Sequence, residues 1–162
     1  MKIEKFNMKV AKSLWKDEVI ETVVKVNPKG MMETAILGAA GNVGGGLADV
    51  LYGESAESRK IDGETERKEA GVELNVTQAL IGLSNKRLVF WSIGFMGGPK
   101  KLLAYLKRED IQSMNLGMSK MLYVKMPALI ITLKNGVSFE LMVAKINKNK
   151  ALSLIDFFYS KK

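Results

Sequence analysis

Three glycines, Gly38, Gly41 and Gly44, follow a short apolar run in the stretch 34-TAILGAAGNVGGGLADVLYG-53, and Leu47, Val50 and Leu51 come after them at helical spacing. Glycines in a strand-to-helix turn let the backbone approach a pyrophosphate, whose charge the helix N-terminus then meets. Dinucleotide chemistry needs more than this turn, however. It requires a feeding strand, an acidic residue at the end of a second parallel strand and further βαβ units around the crevice. Here Met31 to Leu37 makes a poor strand, the region after Tyr52 is a charged run, and Asp62 has no strand to stand on. The competing reading is a helix of small residues, with Ile36, Ala40, Val43, Leu47 and Val50 forming one stripe. Gly41, Gly44 and Gly45 would let another surface approach it closely. Each glycine costs such a helix about 1 kcal/mol relative to alanine, so it orders only against the protein's own body, a second copy or a bilayer.

Other catalytic chemistry is poorly supplied. The chain has no cysteine and no histidine, which removes disulfides, thiolate nucleophiles, most zinc sites and the commonest general base. No serine, lysine and carboxylate combination stands at informative spacing. The expectation is a non-enzyme without cofactor, metal or small-molecule substrate. Trp15 and Trp91 read as core, the ten methionines as packing, and Arg87 as pairing locally within a hairpin.

A chain of 162 residues with 47% hydrophobic content suffices for one domain, residues 1–162. Its net charge of +8 is unevenly spread: Glu54 to Glu73 carries −3, leaving +11 on the rest. A basic body favours encounters with lipid headgroups, nucleic acid or acidic proteins. Lysine predominates over arginine and no aromatic strip is evident, which argues against nucleic acid. The N-terminus lacks a signal-peptide core, and the weakly polar stretch Ala35 to Leu51 is interrupted by Asn42 and Asp49. A cytoplasmic protein is expected, with peripheral contact at the inner membrane face open to it.

The elements that would position these residues follow from periodicity. Phe6 to Trp15 reads as a short helix with Phe6, Val10 and Leu14 on one side, and Glu18 to Val26 as a strand ended by Asn27-Pro28-Lys29-Gly30. Residues 30–71 are expected to form the glycine-rich helix followed by a mobile charged loop, since ESAESRKIDGETERKEAG holds scarcely any apolar residue. Strands then follow over Val72 to Leu83, Arg87 to Ile93, and Lys101 to Leu106 with Leu102, Ala104 and Leu106 facing one way. Ile111 to Leu116, Met121 to Leu133 and Val137 to Val143 complete the set. Turns fall at Ser84 to Lys86, Gly94 to Pro99, Arg108 to Asp110, Gly117 to Lys120 and Lys134-Asn135-Gly136. Ala151, Leu154, Ile155, Phe158 and Tyr159 recur at helical spacing, giving an amphipathic C-terminal helix and a mainly β or α+β class.

The ordered segments 81-IGLSNKRLVFW-91, 106-LKREDIQSM-114 and 130-IITLKNGVSFEL-141, followed by the terminal helix, resemble bacterial pleckstrin-homology-like domains, close in pattern to GRAM domains. The resemblance covers Glu18 to Val26 and Val72 to Lys162. It implies a curled antiparallel sheet of about seven strands capped by a C-terminal helix, serving as a lipid- or protein-binding platform without catalytic residues. The insertion Gly30 to Gly71 departs from the family pattern.

If successive strands run up and down, alternate turns gather at opposite ends. One end collects Lys29, Lys100, Lys101, Lys120, Lys145, Lys148 and Lys150, with Phe95 and Met96 at a loop tip; the other, with Lys86, Glu109, Asp110 and Asn135, carries mixed charge. Apolar tips beside lysines suit a peripheral membrane contact. Phe95, Met96, Lys100, Lys101 and Lys120 are therefore the candidate site for anionic lipid or a protein partner, unless Phe95 and Met96 fold under the sheet. The alternatives are self-assembly as a homo-oligomer through Gly41, Gly44 and Gly45, or a dinucleotide-binding enzyme fragment using Gly38, Gly41 and Gly44.

Overall fold

The computed structural model describes residues 2–31, 47–121 and 124–160. Gly38, Gly41, Gly44 and Gly45 lie outside them, as does the turn of the dinucleotide fingerprint.

Helix α1 (Ile3–Val10) buries Phe6 and Val10, one turn apart, and gives way to a 3₁₀ turn at Ala11–Ser13. Asn7 fastens it to strand β1 (Ile20–Pro28): its Nδ2 donates to the Ile20 carbonyl and its Oδ1 accepts the Ile20 N–H, both at 2.8 Å. The side-chain amide thus supplies both backbone bonds that a neighbouring strand would have made.

Strands β2 (Ala79–Ser84), β3 (Arg87–Ile93), β4 (Pro99–Lys107), β5 (Ile111–Met121), β6 (Val124–Leu133) and β7 (Ser138–Met142) join β1 in one antiparallel sheet of order β4-β3-β2-β1-β7-β6-β5. β1 is the seam. Ile20 to Val26 pair with β2, whereas Asn27 and Pro28 pair with Met142 and Leu141 of β7. The main core lies on the inner face, where Val24, Ile81, Phe90, Leu129 and Phe139 meet helix α3 (Lys148–Ser160) through Ala151, Leu154 and Phe158. A second cluster covers the outer face of the first strands, with Phe6 and Val10 of α1 on Ile20, Leu80, Val89 and Trp91. Buried on both faces, β2 reads as a continuous apolar run. Among the described residues no helix is long and apolar enough to cross a membrane.

The structure corrects four local expectations. The charged segment is helix α2 (Leu47–Glu69), not a loop. Its Glu, Lys, Arg and Ala residues are strong helix formers, and over residues 57–70, whose burial is described, the buried row is Gly63, Arg67 and Ala70 rather than a row of aliphatics. Gly71, at φ +71°, closes it in a Schellman arrangement: Val72 N–H donates to the Arg67 carbonyl and Gly71 N–H to that of Lys68. Close approach at Gly30 and Gly63 lets α2 cross the exit of β1. A Cβ at Gly30 would stand 2.3 Å from Lys60 Cα, and one at Gly63 would stand 2.7 Å from the Lys29 carbonyl oxygen.

Second, Val72 to Gln78 is irregular although Val72 and Leu74 are core, and β2 starts only at Ala79. Third, a register shift in β4 makes Phe90 pair with Ala104 and Trp91 with Leu102, so Leu103 is an extra residue. Leu102 consequently joins the outer cluster while Ala104 and Leu106 stay on the inner core. Fourth, Gly117 to Lys120 is strand, paired with Lys125 to Ala128, and the β5–β6 hairpin runs on to the Met121–Val124 pair.

Candidate functional site

Register places Ser92, Ala79 and Val26 in one row across the first strands, and Asn27, Met142, Ala128 and Gly117 in the row that continues it. Beyond these rows three connections leave the same end of the sheet, and each carries exposed apolar side chains beside lysines.

The β3–β4 hairpin is closed by Gly94 N–H donating to the Gly98 carbonyl, with Gly97 at φ +75°. This backbone turns too tightly for its two large residues to fold back, so Phe95 and Met96 project fully exposed, Met96 at 94%. On one flank, a groove lined by Lys25, Thr77, Gln78, Ser92 and Phe95 has a volume of about 530 Å³. On the other, Lys9, Lys12 and Lys100 border a cleft of about 250 Å³, the Lys9 Nζ lying against Gly98. No carboxylate lines either flank, and among the described residues none pairs with Lys9, Lys12, Lys25, Lys100 or Lys101.

The second connection is the β5–β6 hairpin, where exposed Met118 and Val124 accompany Lys120 and Lys125. The third is the β7–α3 loop, where Ile146 is 90% exposed beside Lys145, Lys148 and Lys150. Lys120 thus belongs to a different tip from Phe95, since β4 and β5 are the two ends of the strand order. Lys29 leaves the expected set, its Nζ bound to Glu66 Oε1 of α2 at 2.7 Å. Sequence reasoning missed Ile146, for which one apolar residue among lysines was the available signal. It also missed Lys9, Lys12 and Lys25, which only the docking of α1 and the run of β1 bring to the tip.

The opposite end holds the most highly constrained polar group. Arg87 Nε lies 2.9 and 3.0 Å from the two Glu18 oxygens, and its Nη2 donates to Glu18 Oε2 at 2.8 Å and to the Ser13 carbonyl at 2.7 Å. Ser84 Oγ donates to Glu18 Oε1 and the Trp15 N–H to Oε2. The Arg87 guanidinium also stacks 4.2 Å from the Trp15 ring centroid and 4.9 Å from that of Tyr105. Arg87 is therefore structural, as expected, but its partner is 69 residues away rather than within the hairpin. Trp15 is not core: it is 41% exposed and lies as a cover over the ion pair, whereas Trp91 is buried as expected. Burial pushes the Glu18 carboxyl up, but the bonds from Arg87, Trp15 and Ser84, together with the Arg87 charge, outweigh it and hold the group below the usual carboxylate range. With both side chains sealed from solvent, at 1% and 0% exposure, the pair offers no group to a substrate.

Among the described residues no three His, Cys, Asp or Glu side chains stand close enough to hold a metal ion. No protein-family model and no curated protein matches the chain.

Proposed function

We propose that this protein is a non-enzymatic binding module of pleckstrin-homology-like type that docks one end of its sheet on an anionic membrane surface, at the inner face of the membrane. The observation that carries the reading is the convergence of three connections on one end, each presenting exposed apolar side chains (Phe95 and Met96, Met118 and Val124, Ile146) beside lysines. Burying one such side chain in the acyl boundary contributes about 1.5–3 kcal/mol. Each lysine near an anionic surface adds about 1 kcal/mol, which salt screens. Neither contribution needs a deep pocket. The family type is supported by the β1 seam, the order of the seven strands and the helix packed on the inner face.

The test is co-sedimentation with vesicles of phosphatidylcholine alone and with added phosphatidylserine. Binding should require the anionic lipid, weaken with salt and be lost in Lys100→Glu/Lys101→Glu, whereas Lys134→Glu at the other end should change little. Equal losses at both ends would reduce the effect to bulk charge and overturn the reading, as would failure of the unmodified protein to bind.

A further inference from the structure

We propose that a cleft at the end of the sheet remote from the apolar tips binds an acidic peptide segment of a partner protein, with an apolar side chain of that segment seated against Trp15. The cleft has a volume of about 680 Å³, and its walls include Trp15, Lys86, Lys107, Arg108, Glu109 and Lys134. They come from the segment before β1, the β2–β3 turn, the β4–β5 connection and the β6–β7 turn. Four cations thus face one carboxylate, where the turn residues had suggested mixed charge.

The cations are not equivalent. Arg108 donates to the carbonyls of Ser84, Phe157 and Phe158, which fixes it as wall and ties α3 to the hairpin. Lys86 Nζ donates to the Lys16 carbonyl, a single bond for an ammonium with three protons. Lys107 stands 3.7 Å from Glu109 with both side chains largely exposed, a pairing of little strength. Lys134 has no ion pair among the described residues. Three lysines, on the β2–β3 turn, at the end of β4 and on the β6–β7 turn, therefore keep protons for an incoming anion.

Their spacing selects the kind of anion. Lysines spread around a cleft of several hundred Å³ suit a chain of carboxylates, where a single small anion would leave most of the volume unfilled. Trp15 adds the apolar contact. Arg87 lies over its ring, Tyr105 meets it in a T-shaped contact, and 41% of the residue remains open. A rigid, half-exposed indole amid cations has the composition of an interface anchor. A single-stranded nucleic acid would ask for a row of stacking rings, and the cleft offers one indole. Because β3 separates this cleft from the Phe95 tip, the two ends can be occupied together, and the proposal does not depend on the membrane reading.

The chain reports on the site itself. Trp91 is buried at 2% exposure, so a ligand that changes indole emission acts on Trp15. The full-length protein would be titrated with a glutamate-rich peptide containing one leucine, with a lysine-rich counterpart, with inorganic phosphate and with a single-stranded oligonucleotide. Calorimetry would run in parallel. The proposal expects saturable binding of the acidic peptide alone, weakened by salt and at least tenfold weaker in Lys107→Glu/Lys134→Glu, whose sites are exposed. Trp15→Leu should weaken it calorimetrically, and Lys100→Glu/Lys101→Glu should leave it unchanged. Absence of saturable binding would overturn it. So would an equal response to phosphate, oligonucleotide or the basic peptide, equal loss in the Lys100/Lys101 variant, or sedimentation showing a second copy of the chain in the cleft.

Discussion

Arg87→Met removes one partner of a buried ion pair and leaves the other in place. The replacement keeps a long apolar stem between Trp15 and Tyr105 but deletes all three contacts within 3.0 Å that Arg87 makes to Glu18. Glu18 then retains only the Trp15 N–H and the Ser84 hydroxyl in a site where its side chain has no solvent exposure. Removing one member of such a pair costs about 3–5 kcal/mol at neutral pH. At about 2–4 °C per kcal/mol for a chain of this size, the melting temperature should fall by roughly 6–20 °C. The pH dependence identifies the cause. In the native protein the Glu18 pKa is held below its unfolded value, so its stabilisation is present above about pH 4.3 and is lost as pH falls through the folded value. In Arg87→Met burial acts with little opposition, the folded pKa rises above the unfolded one, and the deficit shrinks as the carboxyl takes up its proton. Urea unfolding of both proteins at pH 7 and pH 4 should therefore show a gap that narrows on acidification. A loss below about 1 kcal/mol, or a gap independent of pH, would refute the buried charged pair.

Three further outcomes are expected. Gly30→Ala combines a left-handed φ of +79° with a Cβ 2.3 Å from the Lys60 backbone, so it should cost more than the roughly 1 kcal/mol of φ strain alone and raise protease sensitivity within α2. Gly136→Ala meets open space at φ +87° and should cost only that roughly 1 kcal/mol in urea unfolding, which separates strain from collision. Phe95→Ser/Met96→Ser should leave the melting temperature within about 2 °C of the native value, because both side chains are fully exposed, while reducing vesicle binding.

Much of the sheet was legible because short-range signals suffice for it. A short aliphatic and aromatic run bounded by turn residues marks Arg87 to Ile93, the Asn135-Gly136 turn fixes the register of β6 on β7, and Ala151, Leu154 and Phe158 place α3. Elements specified by something other than aliphatic pattern were misread. α2 hides its packing in Gly63 and Arg67, whose burial depends on the backbone approach at Gly30 and not on hydrophobicity. The composition of Gly117 to Lys120 signals a turn, but cross-strand pairing with β6 carries the hairpin past it. The partnership of Glu18 with Arg87 and the gathering of Lys9 and Lys25 near Phe95 are products of the fold, with no local spacing to announce them. At the candidate site the exposure of Phe95 and Met96 was one of two arrangements the sequence left open, and it is the one found.

The absence of cysteine makes a direct test of the docking end practicable. Met96→Cys and Asn135→Cys each create a single thiol, at opposite ends of the sheet, for an environment-sensitive fluorophore. On phosphatidylserine-containing vesicles the label at position 96 should shift to the blue and become accessible to quenchers in the acyl chains, while that at position 135 keeps its aqueous emission. Identical behaviour of the two labels, or an aqueous signal from position 96 on vesicles to which the protein is bound, would contradict the account.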